Sequence, residues 1–299
     1  MAVGVLGLGT MGRRMAGRLL EETGAVHVWN RTPNTEAAEA LRQMGAEVHA
    51  SPSHLAAQCE TVYAMVSTPE ASLHVANAAS EGVRSGGAKY VDCSTVDAAT
   101  YEAVAAAVGA DNFLAAPVSG GWRDAAAGTL LFVCGGPKDV YNTAEATMSA
   151  MGHKRWLVGD SPRHAAHAKL CLQVLMGGVV ASLAECHALA EAAGLDTASI
   201  NDIVAASAMS SPLVRAKSQL MEAKAFPPNF QVYLQHKDLV LATALASDLR
   251  LALPVTSAAR SLYSAAAAAG LSSADFAAVR AAVAPTTGTE HHHRRHDDE

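Results

Sequence analysis

The chain of 299 residues carries 22 Lys and Arg against 28 Asp and Glu, and its net charge of −6 argues against a nucleic-acid partner. Half of the residues are hydrophobic and only 5% aromatic, which at this length allows two domains and, with abundant alanine, favours helix over an all-β fold. Five cysteines (Cys59, Cys93, Cys134, Cys171, Cys186), an odd number without a Cys-x-x-Cys pair, read as reduced thiols of a cytoplasmic protein.

The chain opens on a β-branched apolar run over residues 3–8, which reads as a buried strand with no secretory leader before it. The run breaks at Gly7-Leu8-Gly9-Thr10-Met11-Gly12 and resumes with helical spacing at Met11, Met15, Leu19 and Leu20. Strand, glycine turn and helix in this order make a dinucleotide-binding fingerprint of a Gly-x-Gly-x-x-Gly match. Gly7 allows the tight turn, Gly9 the approach of a pyrophosphate, and Gly12 close helix–strand packing. The phosphates would rest on the amides of the helix N-terminus.

A second strand over 25–29 ends at Asn30-Arg31-Thr32, where this fold faces the adenosine ribose. No acid stands there to bond a 2′-hydroxyl. An amide, a guanidinium and a hydroxyl instead suit a 2′-phosphate, so NADP is expected over NAD, unless Arg31 is a solvated loop residue. A helix over 34–44, a short strand and helix over 47–58 and an apolar strand over 61–66 follow. That last strand ends at Ser67-Thr68-Pro69, where Ser67 and Thr68 serve as cofactor contacts, as a helix cap, or as both. Residues 89–92 form a strand ending at Cys93-Ser94-Thr95, and 113–118 run into Pro117-Val118-Ser119-Gly120-Gly121. Gly128-Thr129-Leu130 opens another strand that runs through Cys134.

Strand signals stop after Trp156-Leu157-Val158-Gly159-Asp160, and the chain is then helical with breaks near Gly194, Ser211-Pro212, Pro227-Pro228 and Pro254. The apolar run 170–184 is too short to span a bilayer and fits a buried helix. The expected fold class is therefore α/β: a Rossmann-type doubly wound sheet domain over 1–160, an all-helical domain over 161–285, and a polar tail over 286–299. The tail histidines bind metal only adventitiously, and no metal site is expected.

These stretches together resemble the β-hydroxyacid dehydrogenase family, which includes 3-hydroxyisobutyrate dehydrogenases and glyoxylate/succinic semialdehyde reductases. The blocks that carry the resemblance are Gly7-Leu8-Gly9-Thr10-Met11-Gly12, Pro117-Val118-Ser119-Gly120-Gly121 through Gly128-Thr129-Leu130, Lys169 with its helix, and Lys237-Asp238-Leu239 with Leu241-Ala242. Val91-Asp92-Cys93-Ser94-Thr95-Val96 adds a weaker block. Trp29-Asn30-Arg31-Thr32 and Pro227-Pro228-Asn229-Phe230 look most like the NADPH-dependent glyoxylate/succinic semialdehyde reductase branch.

The resemblance implies a catalytic Lys169, whose ammonium bonds the substrate carbonyl and gives up the proton that hydride transfer requires. It implies that Ser119 with the Gly120 and Gly121 amides holds a substrate carboxylate. Thr95 would touch substrate or nicotinamide ribose, Phe230 would line the cleft, and Lys237 and Asp238 would lie near the nicotinamide. It further implies a homodimer or higher homo-oligomer, with a small aldehyde or hydroxy acid as the ligand and neither nucleic acid nor membrane as partner. Gln173 replaces the family's asparagine one turn after the lysine, and Ser161-Pro162-Arg163-His164-Ala165-Ala166-His167 replaces a glycine-rich turn. Arg163 or His164 could read a second anionic group or simply face solvent. The readings in competition are an aldehyde reductase, a 3-hydroxyisobutyrate-type dehydrogenase, a non-catalytic NADP-binding domain, and an imine reductase, whose members usually replace the lysine.

Overall fold

The computed structural model describes residues 2–283, so the expected tail over 286–299 lies outside them. The elements follow one another as β1 (Val3–Leu6), α1 (Gly12–Thr23), β2 (Val26–Trp29), α2 (Glu36–Gln43), β3 (Glu47–Val48), α3 (Pro52–Ala56), β4 (Thr61–Ala64) and α4 (Pro69–Gly86). Next come β5 (Lys89–Asp92), α5 (Ala98–Val108), β6 (Phe113–Ala115), β7 (Val118–Ser119), α6 (Trp122–Ala127), β8 (Leu130–Gly135), α7 (Lys138–Met151) and β9 (Gly152–Gly159). The rest is helical: α8 (Pro162–Ala192), α9 (Thr197–Ala206), α10 (Pro212–Glu222), α11 (Val232–Asp248) and α12 (Pro254–Ala266), then short 3-10 and π turns.

One nine-stranded sheet runs in the order β3-β2-β1-β4-β5-β6-β8-β7, with β9 paired to β8. Its first six strands are parallel; β8 is antiparallel to β6 and β7. All four residues of β1 and of β4 are buried, because helices cover both faces of the sheet. Met15 and Leu19 of α1 pack with Val140 and Met148 of α7 on one face. Leu55, Val75 and Tyr101, from α3, α4 and α5, pack on the other. The strand order reverses direction between β1 and β4, and the carboxyl ends there form the crevice where open sheets of this type bind ligands.

Several helix starts follow directly from Ser-Pro and Thr-Pro dipeptides. Ser51, Thr68, Ser161 and Ser211 each accept a backbone N–H at a helix start, and the proline that follows sits at the first turn, where no N–H is needed. Ala165 and Ala166 of α8 join the sheet core, so α8 ties the two halves together.

Some boundaries differ from those expected. The first strand stops at Leu6, because Gly7 turns the chain at φ 97°. The helix expected from residue 34 starts at Glu36, since Asn34 is left-handed at φ 51° and Thr35 caps. Residues 113–118 are two strands, because Pro117 has no N–H to give a ladder and the chain changes partners there. The apolar stretch 170–184 belongs to a helix of 31 residues, long and apolar enough to cross a membrane by length and composition. Its Lys169, Gln173 and His187 are nevertheless buried against protein.

Candidate active site

At the carboxyl end of β1 the glycine turn has no room for a side chain at Gly7 or Gly12. A Cβ on Gly12 would stand 1.9 Å from the Gly7 carbonyl oxygen, so the start of α1 packs directly on the turn. A Cβ on Gly9 would meet nothing within 4 Å, which leaves the open side that a pyrophosphate needs. The N-terminus of α1 has neither a capping side chain nor an acid in its first turn, unlike α4 and α5, which Thr68 and Asp97 cap. Its free N–H groups and dipole therefore face the crevice and fit a dinucleotide's phosphates. Asn30 Oδ1 accepts from the Leu8 amide at 3.0 Å while its Nδ2 donates to the Thr32 carbonyl at 3.0 Å. This bond pins the ribose end of β2 to the glycine turn and leaves Arg31 exposed beside it.

A second cluster lies two turns into α8, where Lys169 is 5% exposed, rather than at the very start of the helix. Its Nζ donates to Gln173 Oε1 at 2.9 Å, and Gln173 Nε2 donates to Asp238 Oδ2. Asp238, 1% exposed, pairs through Oδ1 with Lys237 Nζ at 3.1 Å. The Lys237 ammonium also donates to the Thr95 carbonyl at 2.5 Å, crossing from the helical half to the end of β5. Lys237 and Asp238 are thus no ordinary solvated pair. Burial depresses the Lys169 ammonium to about 8, with Lys237 pushing the same way and Asp238 opposing.

The Gln173 amide thus spans from Lys169 to a carboxylate on the neighbouring helix. Gln235 Nε2 bonds the Gln173 carbonyl at 3.1 Å and fills the space where a Cβ on Gly177 would fall. That contact leaves no room for a side chain at residue 177 of α8.

At the turn after β7, Gly120 has φ 124°, and the Gly121 amide donates to Asp124 Oδ2 at 2.7 Å. Asn229 Oδ1, from the helical half, accepts from the Trp122 amide at 3.3 Å and lies 2.4 Å from where a Cβ on Gly121 would stand. The Arg14 guanidinium stacks over the Trp122 ring at 4.5 Å, bringing the glycine turns of β1 and β7 side by side. Ser119 is half-buried at the end of β7.

Phe230 packs edge-on against Phe276 at 5.5 Å with the core of the helical half, so its neighbour Asn229 is the residue that reaches the glycine turn. Arg163 pairs with Glu102 at 2.7 Å on the surface and His164 is half exposed, so neither is held towards Lys169. Thr68 caps α4 through the Ala71 amide at 3.2 Å. Asp92 was not singled out from the sequence. Its fully buried carboxyl, pushed up by desolvation, accepts from the Ser94 amide at 2.8 Å and from the Ser72 hydroxyl, and so sets the Ser94-Thr95 turn. An acid following the apolar Tyr90-Val91 at the end of β5 was the available signal.

A glycine cradle at a topological switch point, facing a buried lysine from a second half, belongs to nicotinamide-dependent oxidoreductases. Residues 2–159 match the NAD binding domain of 6-phosphogluconate dehydrogenase, and 164–283 match the NAD-binding domain of NADP-dependent 3-hydroxyisobutyrate dehydrogenase. The chain is 35% identical over 284 residues to glyoxylate/succinic semialdehyde reductase 2, chloroplastic, of Arabidopsis thaliana, covering 93% of this chain and 78% of that protein. It is 33% identical over 288 residues to Arabidopsis thaliana glyoxylate/succinic semialdehyde reductase 1, covering 95% and 98%. The crystal structure of 3-hydroxyisobutyrate dehydrogenase from Salmonella typhimurium superposes with a TM-score of 0.82 at 28% identity, covering 94% and 99%.

The chain belongs to the β-hydroxyacid dehydrogenase family. It is an NADP(H)-dependent oxidoreductase.

Proposed function

We propose that the protein reduces a small carboxylate-bearing aldehyde, of the glyoxylate or succinic semialdehyde type, with NADPH. The observation that carries this reading is Lys169: a buried ammonium with its affinity for the proton lowered to about 8, in a network that spans both halves of the molecule. The kinship to two reductases named for these substrates supports the choice of aldehyde.

In this reading Lys169 Nζ hydrogen-bonds the aldehyde oxygen and passes a proton to it as negative charge develops, leaving a neutral amine and a hydroxy acid. Bound NADPH supplies the hydride. Gln173 holds Nζ in place from Oε1, and Asp238 anchors that amide from behind. Ser119 and the Gly120 amide receive the substrate carboxylate, the Gly121 amide being held by Asp124 Oδ2, and Thr95 orients the carbonyl end from the turn that Asp92 sets. Gly7, Leu8, Gly9, Thr10, Met11 and Gly12 hold the pyrophosphate. Asn30, Arg31 and Thr32 take the 2′-phosphate, with Ser67 and Thr68 along the crevice.

The test is NADPH oxidation followed at 340 nm against glyoxylate, succinic semialdehyde and methylmalonate semialdehyde, with a Lys169→Ala control. Turnover that the control loses supports the proposal. NADPH binding without turnover of any aldehyde refutes it. Oxidation of a 3-hydroxy acid by NADP+, with the same lysine accepting the hydroxyl proton, is the second reading, supported by the match of 164–283 to 3-hydroxyisobutyrate dehydrogenase.

Leu172, Leu175 and Leu189 expose apolar surface along α8, with Leu175 65% exposed, and this supports a homodimer formed through the helical half. The five free cysteines suit the reducing cytoplasm.

A further inference from the structure

The edge of the sheet far from Lys169 gathers three histidines and an acid that the proposed reduction does not use. β2 and β3 are parallel with His27 opposite Glu47, and Glu47 and His49, two residues apart, project to the same side. His27 Nδ1 lies 2.7 Å from His49 Nε2 and 3.6 Å from Glu47 Oε2, while Glu47 Oε1 is 3.4 Å from His49 Nε2. We propose that His27, Glu47 and His49 bind a divalent transition-metal ion of the zinc type, at a site separate from the cofactor and substrate.

The ligand atoms of these three side chains all lie within 4.8 Å of one another. Nitrogen and oxygen ligands about 2.0–2.1 Å from a tetrahedral zinc ion stand roughly 3.3 Å apart, so only the two imidazoles need to separate, by about half an ångström. Two imidazoles and a carboxylate suit zinc, cobalt or nickel and not magnesium or calcium, which prefer all-oxygen shells. The Glu47 side chain is 61% exposed, so an ion enters from solvent and keeps water in its fourth position, while the His49 side chain is only 2% exposed.

The other ring nitrogen of His49 is already engaged. His49 Nδ1 lies 3.3 Å from His54 Nδ1 on α3, and His54 Nε2 lies 3.0 Å from the Gln58 amide. With the Gln58 amide turned so that its Oε1 accepts from His54 Nε2–H, His54 Nδ1 accepts from His49 Nδ1–H and the lone pair of His49 Nε2 faces the site. With no ion, a single proton shared between His27 and His49 would occupy this position.

The test is calorimetric titration of the full chain with Zn²⁺, together with the visible absorption of its Co²⁺ form. Each is compared with a His27→Gln/Glu47→Gln double variant. The tail residues His291, His292, His293 and His296 also bind metal, but equally in both proteins, so the difference isolates the site. The intact chain is expected to bind one equivalent more than the variant, to show tetrahedral Co²⁺ bands that the variant lacks, and to gain thermal midpoint with Zn²⁺ that the variant does not. His54→Ala should keep the stoichiometry and weaken binding about 10- to 100-fold. An unchanged metal-free midpoint and NADPH affinity verify that the double variant folds. Equal equivalents and identical Co²⁺ spectra in the two proteins would overturn the proposal, leaving the histidines as a hydrogen-bonded seal on the sheet edge.

Discussion

Replacing Lys169 by methionine is expected to abolish turnover while leaving the fold as stable at neutral pH or more so. Burial lowers this ammonium from the ordinary lysine value of 10.5 to about 8. At about 1.4 kcal/mol for each tenfold change in proton affinity, holding the charge inside costs roughly 3 kcal/mol of folding stability wherever the group is protonated in both states. Methionine fills a similar volume without charge. Against that gain, Gln173 Oε1 loses the donor it has at 2.9 Å. A buried acceptor left alone costs about 1–3 kcal/mol. The net change at pH 7 therefore runs from near zero to about 2 kcal/mol in favour of Lys169→Met.

The pH dependence discriminates more sharply. The folded state releases the Lys169 proton near 8 and the unfolded chain near 10.5, so between those values the unfolded chain binds more protons. Wild-type stability must therefore rise with pH in that window, a rise that the variant lacks. Urea unfolding at fixed protein concentration, at several pH values from 7 to about 10, measures both curves. The variant's advantage should shrink by up to roughly 3 kcal/mol across the window. A gap that stays constant with pH, or a variant more than about 3 kcal/mol less stable at pH 7, would refute the view that Lys169 is a charge held at a cost for catalysis.

Aldehyde reduction requires the ammonium, so its rate should fall as pH rises through about 8, while oxidation of the hydroxy acid, which requires the amine, should rise. Steady-state rates in both directions check this; the same trend in both directions would remove Lys169 as the proton carrier. Arg31→Ala should raise the KM for NADPH about tenfold or more with little effect on NADH, because a charge-assisted phosphate bond contributes about 1.5–3 kcal/mol. Equal effects on the two cofactors would place the 2′-phosphate elsewhere. Gly121→Ala puts a Cβ 2.4 Å from Asn229 Oδ1, so the Asn229 amide must turn away and release the Trp122 amide at the substrate turn. It should cost about 1–3 kcal/mol in kcat/KM, while NADPH affinity measured by fluorescence stays within about twofold.

Local chemistry made much of the molecule legible in advance. Gly7 has its conformational reason in its own φ of 97° and Gly12 its packing reason in the nearby Gly7 carbonyl, and the buried run of β1 before them shows a covered parallel strand. Ser161-Pro162 and Ser211-Pro212 carry their own capping oxygen and N–H-free residue, so the starts of α8 and α10 needed no tertiary information. Lys169 was assigned by likeness to a family. Nothing local to it marks a buried cation.

Only the tertiary structure decided what lies beyond Gln173, the lysine's neighbour one turn along the same helix. Gln173 reaches Asp238 across 65 positions of chain, and Lys237 reaches Thr95 across 142, distances at which a sequence pattern carries no geometry. Asn229, which the sequence did not single out, reaches the Trp122 amide for the same reason: only the folded path of the chain brings residues 122 and 229 together. The parallel register of β2 and β3 set His27 beside Glu47 and His49, which the sequence separates by about 20 residues with no ligand-like spacing. Periodicity and turn chemistry fix elements because their causes are local. The proton affinity of Lys169 and the histidine cluster at the sheet edge depend on burial and approach, which exist only once the chain has folded.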